Sequence, residues 1–119
     1  MSTLPGLLDI DTPERPPLRT DDHGIVRVGA TRVPLENLVY SFREGLTAEE
    51  IALNYSSVAL ADVYAALTYY LRHQAEVDAY LLAREAQDAQ IRREWEARFP
   101  QDALRERVRA RRAALRRDA

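Results

Sequence analysis

A chain of 119 residues has room for one modest hydrophobic core with an arm at either end, and not for two independent domains. The formal net charge of -2 gives no overall attraction to nucleic acid, so the distribution of charge matters more than its sum. All 17 basic residues are arginine, and the absence of cysteine excludes disulfides, cysteine nucleophiles and thiolate metal sites. The sequence has no apolar run long enough to cross a bilayer and no secretion signal, which predicts a cytoplasmic protein without membrane contact.

Residues 1–17 have the composition of a mobile lead-in. They contain four of the six prolines and an acidic cluster at Asp9, Asp11 and Glu14, which favours an extended conformation. A second interpretation stays open, because a short apolar patch in this segment could dock on a neighbour. That patch consists of Leu4, Leu7, Leu8 and Ile10.

Residues 18–34 have the pattern of a small β-ribbon. Residues 21–24 give a turn signal, and residues 25–28 alternate and are β-branched as a strand requires. Gly29 and Ala30 make a second bend before residues 31–33, so two or three strands are expected. Such a ribbon is marginal alone and must pack on helices or on a second subunit. A homodimer or a higher homo-oligomer is therefore expected.

Residues 34–45 predict a first helix, with Pro34 in its first turn and Gly45 at its end. Its apolar face would comprise Leu35, Leu38, Val39 and Phe42.

Residues 47–73 predict a helix, a turn and a second helix. Thr47 followed three residues later by Glu50 is a capping box, and Leu46 with Ile51 supplies the matching hydrophobic staple. Residues 54–59 form a polar break. The apolar face of the second helix would comprise Leu60, Val63, Leu67 and Leu71. This pattern is typical of a DNA-reading helix-turn-helix and equally of an ordinary helical hairpin in a small core.

The remainder predicts a long helical arm. Helical composition continues from His73 to Phe99 with a diluted apolar stripe, and Pro100 interrupts it. That stripe would comprise Val77, Tyr80, Leu81, Ile91, Trp95 and Phe99. Residues 101–119 then carry seven arginines against three acids, and such a helix is marginal in water unless something covers it.

Together these elements predict a mainly α fold, with a helix-turn-helix core, a small N-terminal β-ribbon and a long C-terminal helical arm. The expected division is a flexible lead-in over residues 1–17, a helix-turn-helix domain with its ribbon over residues 18–82, and an Arg-rich partner-binding arm over residues 83–119.

Residues 20–85 resemble a bacterial family, the domain of unknown function 433, whose members are described as small VapB-like antitoxins. The resemblance is carried by the RVGATRV turn and by the helices FREGLTAEEIALNY and LADVYAALTYYLRH. It implies a helix-turn-helix antitoxin, encoded beside a small toxin of the PIN-like ribonuclease type. Such an antitoxin would bind and silence the toxin and repress its own operon.

Three positions depart from the family pattern. Ala30 replaces a second glycine, so this site either avoids a positive backbone angle or carries strain. Ser56 replaces a common proline. Ala59 stands where Ser, Thr or Asn commonly caps the second helix, a loss of about 1 kcal/mol, and Ser57 could cap one turn earlier instead.

The sequence offers little for catalysis. His23 and His73 lie in no motif with a carboxylate, and the adjacent Glu49 and Glu50 face different directions on a helix. A glycine-rich phosphate loop is missing as well. We therefore predict a protein that is not an enzyme, with no catalytic residues, cofactor or metal.

Base reading by the second helix is poorly supported, because its N-terminal face would present Ala59, Ala61, Asp62 and Ala65. Phosphate contacts to operator DNA remain possible. The tyrosines among the helices are more often core or dimer-interface residues than DNA contacts. The DNA-binding candidates are Arg27, Arg32, Arg43, Ser56, Ser57, Tyr64 and Arg72.

The Arg-rich tail allows three interpretations: a solvated helix, a DNA-backbone contact, or insertion of arginines into the acidic active site of a nuclease. The resemblance implies a PIN-like toxin that holds metal ions with clustered carboxylates, which guanidinium groups can pair with. The toxin-binding candidates are Trp95, Phe99, Leu104, Arg105, Val108, Arg109, Arg112, Leu115 and Arg116. The leading prediction is an antitoxin, and the alternative is a non-enzymatic oligomeric adaptor or structural protein without specific DNA binding.

Overall fold

The computed structural model describes residues 6–99 and 101–117, and over these residues it contains five helices and one two-stranded sheet. The predicted fold class is confirmed: the chain is mainly α, with a small N-terminal sheet and a long C-terminal helix. The elements are β1 Leu18–Thr20, β2 Val26–Val28, α1 Leu35–Arg43, α2 Ala48–Asn54, α3 Leu60–Arg72, α4 Gln74–Arg98 and α5 Gln101–Arg117.

The described residues form two compact units, residues 1–77 and residues 78–119. The first unit holds both strands, α1, α2, α3 and the first turn of α4. The second holds the rest of α4 and α5. Of the predicted stripe on α4, Val77 and Leu81 are buried, whereas Ile91, Trp95 and Phe99 are more than half exposed.

The ribbon consists of two antiparallel strands, with Leu18 opposite Val28 and Thr20 opposite Val26. Its turn forms where the sequence predicts it, because the Asp21 carboxylate accepts backbone N–H groups of His23 at 2.8 Å and Ile25 at 3.0 Å. Residues 31–33 do not form a third strand. The next residue, Pro34, forms an isolated bridge with Arg27.

Local signals in the sequence fix where α1 ends and α2 begins. Gly45 at φ +97° closes α1, with the N–H of Leu46 donating to the carbonyl of Ser41 at 3.1 Å. The capping box is present, since Thr47 Oγ1 accepts the Glu50 N–H and a Glu50 carboxylate oxygen accepts the Thr47 N–H, both at 3.2 Å.

The start of α3 lacks this support. Ala59 is the N-cap and makes no side-chain hydrogen bond, so the helix begins at Leu60 and Ser57 does not cap it.

The backbone at Ala30, which replaces a glycine of the family pattern, is not strained. Every positive φ angle among the described residues belongs to a glycine, so Ala30 avoids the left-handed region.

The core of residues 1–77 forms where α3 packs against α1, α2 and β2. The inward row of α3 comprises Val63, Ala66, Leu67 and Tyr70. Two of the expected core positions are wrong, because Leu60 is 42% exposed and Leu71 is 53% exposed. Successive helical residues are separated by about 100° around the axis, which places both leucines to one side of the inward row.

We expect Gly29→Ala to destabilise the fold by about 1–2 kcal/mol, because φ at this position is +59°. The added Cβ would also lie 3.1 Å from the Asp62 carboxylate oxygen, which brings a second cost. Gly24→Ala is the matched control, since φ is +79° there but nothing lies within 4 Å.

Chemical denaturation should therefore rank Gly29→Ala below Gly24→Ala in free energy of unfolding. Adding Asp62→Ala to Gly29→Ala should recover the difference. Equal losses at both glycines would contradict the proposed approach of the ribbon to α3.

Candidate functional site

The helix-turn-helix comprises α2, the connection at residues 55–59, and α3. The connection is anchored by Val58, which is only 4% exposed and turns into the core. Helix α1 packs on both α2 and α3, so the three helices form a small bundle of the kind that DNA-reading proteins use. Function must nevertheless be argued from the exposed side chains of α3.

The exposed face of α3 is apolar and its hydroxyl groups are already bonded. Leu60, Ala61 and Tyr64 are exposed, and the Tyr64 hydroxyl donates to the Glu49 carboxylate of α2. The Thr68 hydroxyl donates to the Tyr64 carbonyl at 2.8 Å. The half-buried Asp62 does not project from this face as the sequence had suggested, since its carboxylate lies against Gly29. Base reading needs accessible donors and acceptors, which this face offers poorly.

The charge of this region also opposes DNA. Between Arg43 and Arg72 the chain carries four acids and no basic residue, a formal charge of -4. Phosphate would be repelled there, since DNA affinity depends chiefly on neutralising the backbone. The four acids are Glu44, Glu49, Glu50 and Asp62.

Two of the arginine candidates for DNA binding brace the fold. Arg27 Nε donates to the Asp21 carboxylate at 3.0 Å, and its Nη1 donates to the Arg32 carbonyl at 2.6 Å. Arg43 donates to the Tyr70 hydroxyl from Nε at 3.1 Å and from Nη2 at 3.0 Å. Arg43 thus joins α1 to α3 across 27 positions, whereas Arg27 acts within the ribbon and the bend that follows it.

The Asp21 carboxylate is held charged by its surroundings. Hydrogen bonds from the backbone of Ile25 and then of His23 lower its pKa below the ordinary value, and Arg27 adds to the effect.

The other DNA-binding candidates fall into two groups. Tyr64 is bonded to Glu49, whereas Arg32, Ser56, Ser57 and Arg72 have exposed side chains.

Residues 14–16 of the lead-in lie beside the outer side of α3 and leave a groove of about 360 Å³. The His73 ring stacks on Tyr69 with 4.2 Å between ring centroids, and His73 Nδ1 lies 3.0 Å from the Tyr69 carbonyl. The sequence did not reveal this groove, because the prolines of the lead-in indicate extended chain without indicating its neighbour. The groove is lined by Glu14, Arg15, Pro16, Ala65, Thr68, Tyr69, Arg72 and His73.

The arm presents apolar side chains to solvent. Trp95 and Phe99 are 57% and 52% exposed, and their ring centroids lie 4.6 Å apart. Helix α5 has an exposed apolar row of its own, formed by Leu104, Val108 and Leu115. Arginines border this row at positions 105, 109, 112 and 116, and all four are exposed. The structure thus presents every toxin-binding candidate on the surface of the second unit.

Among the described residues, no cluster of three or more His, Asp or Glu side chains is arranged to hold a metal ion. None of the described helices has the length and hydropathy of a membrane span.

Most of the helix-turn-helix lies within a segment that matches a known family. Residues 23–70 match the family described as Protein of unknown function (DUF433). The resemblance to this family is confirmed over these residues, and the antitoxin role stays a prediction. No curated protein and no solved structure gives a significant match to the chain.

The DUF433 match begins at His23 in the ribbon turn and ends at Tyr70 in α3. It contains six of the seven DNA-binding candidates, all except Arg72, and none of the toxin-binding candidates. The lead-in and the arm lie outside the matched segment. Any property of the arm must therefore be argued from its own residues.

The Tyr64–Glu49 hydrogen bond makes stability depend on pH at both extremes. It lowers the pKa of Glu49 below 4.5 and raises the pKa of Tyr64 above 10.0. The lowered Glu49 pKa stabilises the fold fully above pH 4.5, and this contribution is lost as pH falls through the folded-state pKa. The raised Tyr64 pKa contributes below pH 10.0, and this is lost as pH rises through the folded-state pKa.

Tyr64→Phe should therefore lower the melting temperature between pH 4.5 and 10.0 and have a diminishing effect beyond either limit. Melting curves of both proteins across the pH range measure this. Glu49→Gln is the control. Its amide oxygen can still accept the hydrogen bond but does not titrate, so this substitution should remove only the pH dependence of the melting temperature below pH 4.5. A Tyr64→Phe effect that is independent of pH would contradict the assignment.

Proposed function

We propose that this protein is a non-enzymatic antitoxin, which binds a PIN-like ribonuclease encoded beside it and blocks the nuclease with its C-terminal arm. The observation that carries the proposal is the exposed apolar row of the arm, bordered by arginines. Most of the helix-turn-helix lies within the DUF433 match, whereas the assignment of a partner rests on the chemistry of the arm.

The apolar residues of the arm supply the anchoring part of an interface. Trp and Phe side chains bury large areas and dominate binding energy when they enter a pocket. The rings of Trp95 and Phe99 lie beside one another at a tilt of 40°, and both residues are more than half exposed. Helix α5 adds an apolar row of its own, because Leu104, Val108 and Leu115 share one face over three turns. An amphipathic helix of this kind fits a hydrophobic groove on a partner.

The arginines specify the charge of that partner. Helix α5 carries seven arginines and two acids, a formal charge of +5. In contrast, residues 1–77 carry six arginines and eleven acids, a charge of -5. The arm is therefore complementary in charge to an acidic surface. An apolar groove rimmed by carboxylates would match both its positive charge and its apolar row.

A metal-dependent nuclease offers such a surface. The clustered carboxylates of such a nuclease repel one another. Bound metal ions, or arginines from the antitoxin arm, would neutralise that repulsion. Guanidinium groups pair with carboxylates in two parallel hydrogen bonds, so Arg105, Arg109 and Arg112 on one side of α5 can occupy an acidic cleft. Inhibition follows because the carboxylates are no longer free to hold metal and substrate is kept out.

Operator binding, the second part of this function, is also assigned to the arm. The acidic surface of α2 and α3 would repel the DNA backbone, whereas the arginines of α5 attract it. Repression would then depend mainly on backbone charge, with little base discrimination by α3.

To test toxin binding, the full chain is co-expressed with the product of the adjacent gene. Replacing Trp95 and Phe99 together by Ala should abolish co-purification and restore nuclease activity. Leu82→Ala is the matched control, because Leu82 is 68% exposed and lies on the opposite side of the same helix from Trp95.

Retained co-purification after the double substitution would reject the arm as the binding element. The absence of a small PIN-like coding sequence next to the gene would count against the antitoxin itself and favour the adaptor.

To test the operator part, binding to the promoter is measured at several salt concentrations. Removing residues 101–119 should reduce the slope of log affinity against log salt by several units, roughly 0.9 for each lost phosphate contact. The control is Arg32→Ala together with Arg72→Ala, which should change the slope little. A slope that follows Arg32 and Arg72 would place DNA on the DUF433 segment instead.

A further inference from the structure

Helix α3 has a second apolar row in addition to the one buried in the core. Leu60, Tyr64 and Leu71 are 42%, 48% and 53% exposed, and the exposed Thr68 lies between them. Intervals of four, four and three residues place these side chains along one face. An apolar face on a helix whose core face is already covered indicates an interaction surface.

We propose that this face pairs with α3 of a second copy of the chain, with the two helices antiparallel across a two-fold axis. The row is self-complementary in that arrangement. If the axis passes midway between Tyr64 and Thr68, Tyr64 of each copy faces Thr68 of the other, and Leu60 lies within about one residue, roughly 1.5 Å along the helix, of Leu71. Symmetric dimers require this reciprocity, because one patch must fit itself.

The charges beside this row favour the same arrangement. At its N-terminal end, the exposed Glu49 of α2 accepts the hydrogen bond of the Tyr64 hydroxyl. The C-terminal end carries the exposed Arg72. Over 13 residues the ends are separated by about 18 Å at about 1.5 Å per residue.

Antiparallel pairing brings each Arg72 to the acidic end of the other copy. Parallel pairing would place like charges together. The helix dipoles also oppose one another favourably in the antiparallel pair.

The face is already held in position before pairing. The Tyr64 hydroxyl is fixed by Glu49, and the Thr68 hydroxyl is fixed by the Tyr64 carbonyl. Association therefore orders few side chains, which reduces its entropic cost. The acidic group that attracts Arg72 of a second copy repels the phosphates of nucleic acid. This face is therefore better suited to bind a second copy than to bind DNA.

Cross-linking of the full chain tests the geometry, and the absence of native cysteine removes any background. Leu60→Cys and Leu71→Cys are prepared separately, one carrying a mass tag, and are oxidised alone and mixed. The mixture should yield mainly the mixed disulfide, because a disulfide needs Cα atoms within about 7 Å. Predominant cross-linking of each variant with itself would overturn the antiparallel arrangement.

Sedimentation equilibrium tests the face itself. Leu71→Glu should weaken dimerisation at least about tenfold, since a charge is buried at the interface beside the acidic end of the other copy. Leu82→Glu is the matched control on α4 and should leave the dimer unchanged. Arg72→Glu should also weaken the dimer, most strongly at low salt, which keeps the test valid if Leu71→Glu disturbs folding.

A wild-type protein that stays monomeric throughout the micromolar range would overturn the proposal. So would a dimer that survives both Leu71→Glu and Arg72→Glu, or one that Leu82→Glu disrupts equally. These results are read separately from toxin binding, because none of the variants alters Trp95, Phe99 or α5.

Discussion

The packing of α3 on its neighbours is the constraint from which the rest of the DUF433 segment follows. Helices α1 and α2 and strand β2 all contact this helix, and its row of Val63, Ala66, Leu67 and Tyr70 is buried. The small side chain of Ala66 lets a neighbour approach closely, while Tyr70 places a hydroxyl where Arg43 can reach it. Once that row is buried, the rotation of α3 is fixed, and so is the set of side chains that it presents to solvent.

That rotation separates architecture from function. A helix-turn-helix is present, yet the exposed side of α3 is apolar, and its Tyr64 hydroxyl is bonded to Glu49 of α2. The basic charge lies in α5, which belongs to the other unit. The two units therefore suit different tasks, with an apolar helix face on one and a cationic amphipathic helix on the other. This division explains how a chain with a nearly neutral total charge can present two strongly different surfaces.

Local signals made much of the fold predictable from sequence. The capping box at Thr47, the turn at Asp21 and the glycine at residue 45 each act within a few residues, and each forms as expected. The inward face of α3 was only half predicted. Leu60 and Leu71 share the helical spacing of the core residues, and periodicity alone cannot distinguish two apolar rows that lie side by side.

The contacts of the candidate site were less predictable, because they join distant parts of the chain. Arg43 meets Tyr70 across 27 positions, and Tyr64 meets Glu49 across 15. The residues that neighbour Arg43 and Tyr64 in the sequence give no indication of these partners. The arm shows the opposite case: the described side chains from Leu104 to Arg116 are all exposed, and the apolar row there follows directly from helical spacing.

The exposure of α5 has a consequence for the lifetime of the protein. All its described side chains from Leu104 to Arg116 face solvent, so the free energy needed to open this helix locally is small. Proteases that cleave after arginine would find repeated sites there, whereas Arg27 and Arg43 are held by hydrogen bonds inside the fold. Limited digestion would therefore shorten the arm first and leave the DUF433 segment intact. A partner that covers the arm would protect it, so the turnover of the chain would be linked to its occupancy.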